Sequence, residues 1–346
     1  MTDSRTLLVR CDASVTIGTG HAMRCLALAQ AWQDAGGGTV FAMAEVTPKV
    51  EDRLRRENME AAQLEAEPGS ADDVRQVVTH ALEKQASWVV VDGYCFSAEY
   101  QAALKDARLK VLFIDDNGHA GRYCADLVLN QNAHASESLY SSRDASTRLL
   151  LGPRFAMLRR EFKPWSDWER EIPEVARRVL VTMGGSDPDN VTQKIIHTIL
   201  SETSLSATVV VGGSNPHVSQ LRELVAAAQR DVKLVEDATN MPELMAESDL
   251  AVAGAGTTSS EMCFLGLPAL LIVLADNQHP VAEELSRRGV AIALGVGTRI
   301  PPSTLASHLT DLVNSYDARK AMSKRGRDLI DGRGAERVVR ELHHTE

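Results

Sequence analysis

The sequence predicts two α/β domains, each a parallel sheet covered by helices, and three observations lead there. Strand-like and helix-like segments alternate from end to end. The strand-like segments are mostly unbroken Val/Ile/Leu runs. Such runs mean burial on both faces, whereas a half-solvated sheet would alternate apolar with polar. The alternation breaks once, over 161–178, where Pro164, Trp165, Trp168 and Pro173 stand among many charges, as in a linker. A chain of 346 residues, 44% of them hydrophobic, can fill two cores of ordinary size. The expected division is an N-terminal domain over 1–162, a linker over 163–177 and a C-terminal domain over 178–346. Two such domains imply a cleft, with ligand sites where the parallel strands end.

In the first half a strand over 7–11 leads through a glycine loop into a helix over 21–35. A strand over 39–44, a helix over 48–57 and a helix over 70–84 follow, then a short buried strand over 88–91. A helix over 97–107 and strands over 111–114 and 127–129 complete this half. After the linker come strand 179–183, helix 190–200, strand 208–211, helix 217–227, strand 233–235 and helix 241–247. Strand 250–253, helix 258–265, strand 269–274 and helix 279–287 continue the pattern. The remainder reads as mostly helical, ending in helices over 317–330 and 335–343.

Composition excludes several classes of function. Charged residues make up 24% and the net charge is −10, which favours neither nucleic acid nor an anionic membrane as partner. The basic clusters at 53–56 and 159–160 have acids beside them and read as solvated helix faces. The longest apolar run, 267–275, is far shorter than the ~20 residues of a spanning helix. No signal-peptide pattern precedes the first strand. Cys11, Cys25, Cys95, Cys124 and Cys263 show no paired spacing, which suits reduced, buried thiols. The expectation is a cytoplasmic protein with no membrane insertion and a small-molecule substrate.

Four strand-to-helix loops carry candidate chemistry. The first runs Arg10-Cys-Asp12-Ala-Ser, then Gly18-Thr-Gly20-His21, to Arg24. Its glycines admit a ligand close to the backbone, and His21 opens a helix whose first turn offers unpaired N–H groups. A dinucleotide fingerprint fits poorly, because Met23 stands where its third glycine should be, and no P-loop Gly-Lys-Ser/Thr follows. The second loop is Met183-Gly184-Gly185-Ser186-Asp187, ahead of a helix that Asp189 or Asn190 would cap; it reads as a phosphate cradle. The third, Gly254-Ala-Gly256-Thr257-Thr258-Ser-Ser-Glu261, combines N–H groups and hydroxyls for a diphosphate with a carboxylate for a ribose diol; Thr258 with Glu261 also fits a capping box. The fourth, Ala275-Asp-Asn277-Gln278-His-Pro, ends the most apolar strand in polar side chains.

These loops together resemble a known pattern. Residues 254–269 look like the nucleotide-binding segment of GT-B glycosyltransferases of the MurG type, built from two Rossmann-like domains facing across a cleft. The N-terminal loop resembles a narrower family, PseG, the UDP-2,4-diacetamido-2,4,6-trideoxy-β-L-altropyranose hydrolases of pseudaminic acid biosynthesis. Asp92-Gly-Tyr94, Asp115-Asp116-Asn117, Leu127-Val-Leu-Asn130, Met183 to Asp187 and Ala275 to Gln278 extend the match over nearly the whole chain. The resemblance implies that His21 is catalytic and that Tyr94 and Asn277 line the sugar side. It likewise places Gly184 to Asp187, Gly256 to Thr258 and Glu261 on the UDP side. Ser260 departs from the tryptophan of many relatives, which bears on pocket shape.

The implied reaction is hydrolysis at the anomeric carbon of a UDP-sugar. A diphosphate leaves as a stable anion, so the site needs a base for water and a clamp for departing charge more than a strong acid. His21 is the expected base, with Asp12 orienting it and Tyr94 beside it. Gly18, Gly20, Arg24, Asp92, Asn277 and Gln278 are expected around the sugar. Gly184, Gly185, Ser186, Asp187, Gly256, Thr257, Thr258 and Glu261 are expected around UDP. No metal or cofactor is expected: Asp115 and Asp116 are adjacent, so their side chains diverge, and they read as hydrogen-bonding groups. His80, His119, His134, His197, His217, His308, His343 and His344 read as surface. The alternatives are a GT-B glycosyltransferase using a UDP-sugar donor, and a nucleotide-sugar sensor without turnover.

Overall fold

The computed structural model describes residues 5–14 and 16–345. Val15 of the N-terminal loop, and residues 1–4 and 346 at the expected domain ends, lie outside the described residues. The chain forms two compact units, Met1–Arg160 with Arg333–Glu346, and Glu161–Gly332.

The first unit is built on seven strands: β1 (Thr6–Cys11), β2 (Gly38–Met43), β3 (Glu60–Gln63), β4 (Ala86–Asp92), β5 (Val111–Ile114), β6 (Leu127–Asn130) and β7 (Arg148–Leu151). They lie in the order β3-β2-β1-β4-β5-β6-β7, every pair parallel. Its first helices are α1 (Gly20–Asp34), α2 (Pro48–Arg56), α3 (Ala71–Glu83) and α4 (Ala98–Asp106). Alternate residues of β1 enter different cores: Leu7 and Val9 pack with Leu26 and Leu28 of α1, Leu8 with Val77 of α3 and Leu104 of α4. Burial on both faces is what the unbroken apolar runs required. Strand order reverses between β1 and β4, which opens a crevice at their C-terminal ends. There the register sets Cys11 beside Asp92.

The second unit repeats the plan with β8 (Arg178–Thr182), β9 (Ser206–Val211), β10 (Val232–Glu236), β11 (Leu250–Gly254), β12 (Ala269–Val273) and β13 (Ile292–Val296). Their order is β10-β9-β8-β11-β12-β13, again parallel, and reverses between β8 and β11. Helices α5 (Val191–Glu202), α6 (Val218–Ala227), α7 (Met241–Ala246), α8 (Thr258–Phe264), α9 (His279–Arg287), α10 (Pro302–Asn314) and α11 (Tyr316–Leu329) cover it.

Two parts of the expected division change. The last helix, α12 (Gly334–His344), belongs to the first unit, not the second. Val338, Val339 and Leu342 join the core around α1, and the Trp88 indole donates to the Leu342 carbonyl at 3.2 Å. The segment 161–177 is packed rather than loose. Phe162 lies edge-on to Phe264, and Arg170 donates to the carbonyls of Leu265 and Met245, at the C-terminal ends of α8 and α7. Strands β3, β7 and β13, absent from the sequence reading, are all sheet edges. Edges need no continuous apolar run, and β3 is Glu-Ala-Ala-Gln. Among the cysteines, Cys11, Cys25 and Cys263 are buried, but Cys95, on the turn after β4, is exposed and Cys124 is half-buried.

Candidate active site

His21 stands in the first turn of α1, directly beyond β1. The turn into the helix requires Gly18 at φ +80°, a left-handed conformation that L side chains rarely adopt. A Cβ at Gly18 or Gly20 would meet nothing within 4 Å, so this approach to the backbone is open. Thr19 precedes α1 without a side-chain cap.

The His21 ring is fixed from across the crevice. Its Nδ1–H donates to Asp92 Oδ1 at 2.6 Å, which leaves Nε2 as the basic nitrogen. Arg24, one turn along α1, clamps the same carboxylate, Nε to Oδ2 and Nη2 to Oδ1, both at 2.6 Å. Its Nη1 reaches both oxygens of Asp116, at 2.9 and 2.8 Å. Burial alone would raise the Asp92 pKa. The Arg24 guanidinium, then the His21 ring, outweigh it and hold the carboxyl well below the usual range. For Arg24 too, burial opposes the charge, and Asp116 and Asp92 overcome it.

This geometry revises three sequence assignments. Asp12 does not orient His21. Its Oδ1 accepts the N–H groups of Ala44 and Glu45 and meets Arg10 at 2.7 Å, tying the end of β1 to the end of β2. Asp92 takes the orienting role because the β1–β4 pairing, not sequence distance, decides which carboxylate faces α1. Arg24 and Asp92 saturate each other in the interior, so neither presents a free group to a sugar.

Tyr94, two residues beyond β4, is one of few large apolar side chains left exposed, at 43%. Its ring meets His21 edge to face at 5.0 Å, and its hydroxyl donates to Asp116 Oδ2 at 3.1 Å. Asp116 also receives Asn132 Nδ2 at 2.5 Å, and its carbonyl accepts from Asn130 and His134. Asp115 accepts the backbone N–H groups of Asn117 and Gly118 and the Tyr123 hydroxyl. Both acids thus serve local hydrogen bonding, and the described residues hold no group of three or more metal-ligating side chains. His119 and His134 are half-buried parts of this network, not surface groups. The i, i+4 spacing of Asp115 and His119 was the signal for one of them.

In the second unit the loops after β8, β11 and β12 share one sheet edge, because all three strands are parallel. Gly184 is exposed at φ +82° with nothing within 4 Å of a Cβ position. Gly185 supports the loop after β9: a Cβ at Gly212 would sit 2.6 Å from Gly185 Cα. Ser186 is half-buried. Asp187 is committed to the fold. It is buried at φ +45°, and its carboxylate accepts the Val191 and Thr192 N–H groups at 2.9 and 2.8 Å. It therefore caps α5 in place of Asp189 or Asn190 and is not available to a nucleotide. Gly256, Thr257, Thr258 and Glu261 are half-buried around the start of α8. Thr257, not Thr258, stands at the N-cap of that helix, and its side chain makes no cap hydrogen bond. Gln278 accepts the Leu274 N–H at 3.0 Å, and its Nε2 lies beside Gly256, which makes it a brace between two loops. Asn277 is half-buried next to it.

With this geometry in place, known proteins can be compared. Residues 179–337 match the family model of the glycosyltransferase family 28 C-terminal domain. The chain is 27% identical to the spore coat polysaccharide biosynthesis protein SpsG of Bacillus subtilis (strain 168), over 70% of this chain and 71% of that protein. It is 25% identical to the UDP-2,4-diacetamido-2,4,6-trideoxy-beta-L-altropyranose hydrolase of Campylobacter jejuni, over 83% of this chain and 98% of that one. The crystal structure of Acinetobacter baumannii MurG superposes with a TM-score of 0.67 at 15% identity, covering 99% of each chain. The chain thus has the GT-B fold, its residues 179–337 resemble the family 28 C-terminal domain, and its sequence is similar to that of the Campylobacter hydrolase.

Proposed function

We propose that this protein hydrolyses a UDP-linked 2,4-diacetamido-2,4,6-trideoxy hexose at the anomeric carbon, releasing UDP and free sugar for nonulosonate (pseudaminic acid) biosynthesis. The observation that carries the reading is the His21–Asp92 contact. A histidine whose Nδ1–H is held by a buried carboxylate keeps Nε2 free to take a proton, and the carboxylate offsets the positive charge that results. Nε2 takes a proton from water. The water oxygen bonds to the anomeric carbon as the bond to the diphosphate oxygen breaks, and the electron pair leaves on UDP. Tyr94 supports the sugar beside the base. The glycines and helix N-termini of the second unit hold the nucleotide, with Glu261 on its ribose. Attack opposite the leaving group inverts the anomeric centre. Similarity to the Campylobacter hydrolase supports the choice of sugar.

Incubation with a panel of UDP-diacetamido-trideoxy-hexoses and no acceptor tests this. Stoichiometric UDP and reducing sugar, with an inverted anomer in fresh NMR spectra, are expected. Release of UDP only when an acceptor is added would make the protein a glycosyltransferase, and tight UDP binding without turnover would make it a binding protein.

A further inference from the structure

Tyr94 poses a problem of support. It follows Gly93 on a turn and is 43% exposed, and its ring packs against His21. A half-exposed aromatic ring on a turn has several rotamers open to it. Its hydroxyl is held by Asp116, but that contact alone lets the ring rotate about its own axis. A further contact is His119, whose ring lies 5.5 Å from that of Tyr94 at 86°. Tyr94 thus packs against two imidazoles, His21 and His119.

His119 is itself held at both nitrogens. Nε2 lies 3.2 Å from the Phe96 carbonyl, and Nδ1 lies 3.1 Å from Asp115 Oδ2. The second contact is an ion pair when the ring is protonated. Both neighbours are acceptors, and a neutral imidazole carries only one proton. Only the imidazolium meets a carbonyl and a carboxylate together without setting a lone pair against an oxygen. The charged and titratable groups around it are Asp115, Asp116, Tyr94, and Tyr123, which shares the Asp115 carboxylate. Phe113 supplies the apolar side. Burial lowers the His119 pKa, but the Asp115 contacts outweigh it and the net displacement is upward.

We infer that His119 is a positioning residue: as an imidazolium it braces the Tyr94 ring, and through Tyr94 it sets the geometry beside His21. A cation within about 6 Å of an aromatic centroid is attracted to the ring, and the attraction ends when the charge is lost. The brace is therefore in place below the raised His119 value and is released as pH rises through it. The kinetic consequence rests on the hydrolase reading; the protonation state does not.

Two measurements test this. Ring-nitrogen NMR of the full-length protein, with His119 assigned by its absence in His119→Gln, should show both nitrogens protonated at pH 6.5. In Tyr94→Leu the His119 titration should move down. A neutral ring at pH 6.5, or a titration indifferent to Tyr94→Leu, overturns the assignment, and neither result needs a substrate. In steady-state kinetics, His119→Gln should lower kcat/KM at pH 6.5 by about 2–5-fold, the equivalent of an exposed cation–π contact. It should also remove the decline that the wild type shows as pH rises through the His119 titration. The same substitution in a Tyr94→Leu background should have no further effect. An equal loss in both backgrounds would mean that His119 acts only on folding, and would sink the proposal.

Discussion

The two strand-order reversals in this chain are built from opposite materials. At the ends of β1 and β4 the groups are ionised side chains, with Asp92, Arg24 and Asp116 locked together beneath His21. At the ends of β8 and β11 the chain presents glycines and hydroxyl side chains, and the buried carboxylate there, Asp187, is used up on the N–H groups of α5. The contrast follows from the tasks proposed for them. A group that moves a proton must be held in one tautomer and one orientation, which takes converging charged partners. A phosphate needs close N–H donors and no free carboxylate to repel it.

The sharpest way to break this comparison is His21→Asn. Turnover should fall by about 10²–10⁴-fold, while UDP affinity measured by calorimetry stays as in the wild type. A matching loss of UDP binding would show that the two crevices do not divide the work. Next in size is a pair of stability measurements. Asp92→Ala removes one of the two carboxylates that pair with the buried Arg24 charge and should cost about 3 kcal/mol in denaturant unfolding. Asp187→Ala removes a helix cap and should cost about 1 kcal/mol. Equal costs would erase the distinction between a charge network and a capped loop.

A further effect is in the pH dependence of stability. Asp115 is held down at about 2, from an ordinary 3.8; burial opposes this, and His119, Tyr123 and backbone N–H groups prevail. A depressed carboxyl stabilises above its unfolded value and loses that contribution as pH falls, here between about pH 4 and 2. The shift is equivalent to about 2 kcal/mol. Asp92 adds an acid-side loss of the same sign. His119, with its raised value, contributes below its unfolded value and loses the contribution as pH rises through the folded one. Unfolding midpoints should therefore be highest between these limits, and His119→Gln should flatten the decline on the high-pH side of the His119 titration. A wild-type midpoint that did not fall as His119 lost its proton would contradict the pairing.

Much of the fold was legible because central parallel strands must be apolar on both faces, so Leu7 to Val9 and Val179 to Val181 could be read directly. Edge strands carry no such mark, which is why Glu60–Gln63 went unread. The amphipathic pattern of α12 says that the helix packs, but nothing local says against which sheet. In the site, His21 was legible from its place after two glycines. Its partner was not. Asp12 is nine residues away in sequence and points elsewhere, whereas Asp92, 71 residues away, arrives through strand pairing. Asp187 was misread as a ligand contact because its neighbour Asn190 is an equally good cap on paper. Its left-handed backbone and buried carboxylate exist only in the folded loop.

The return of α12 to the first unit sets an order of assembly. All of Glu161–Gly332 is synthesised before the helix that covers Trp88 and stacks His343 on Trp32. Nascent chains usually complete their N-terminal domain first. Here the second unit has its full sequence while the first still lacks one side of its core. The half that carries His21 is therefore completed after the second unit, and its core stays open to proteolysis and to chaperones until α12 has been made.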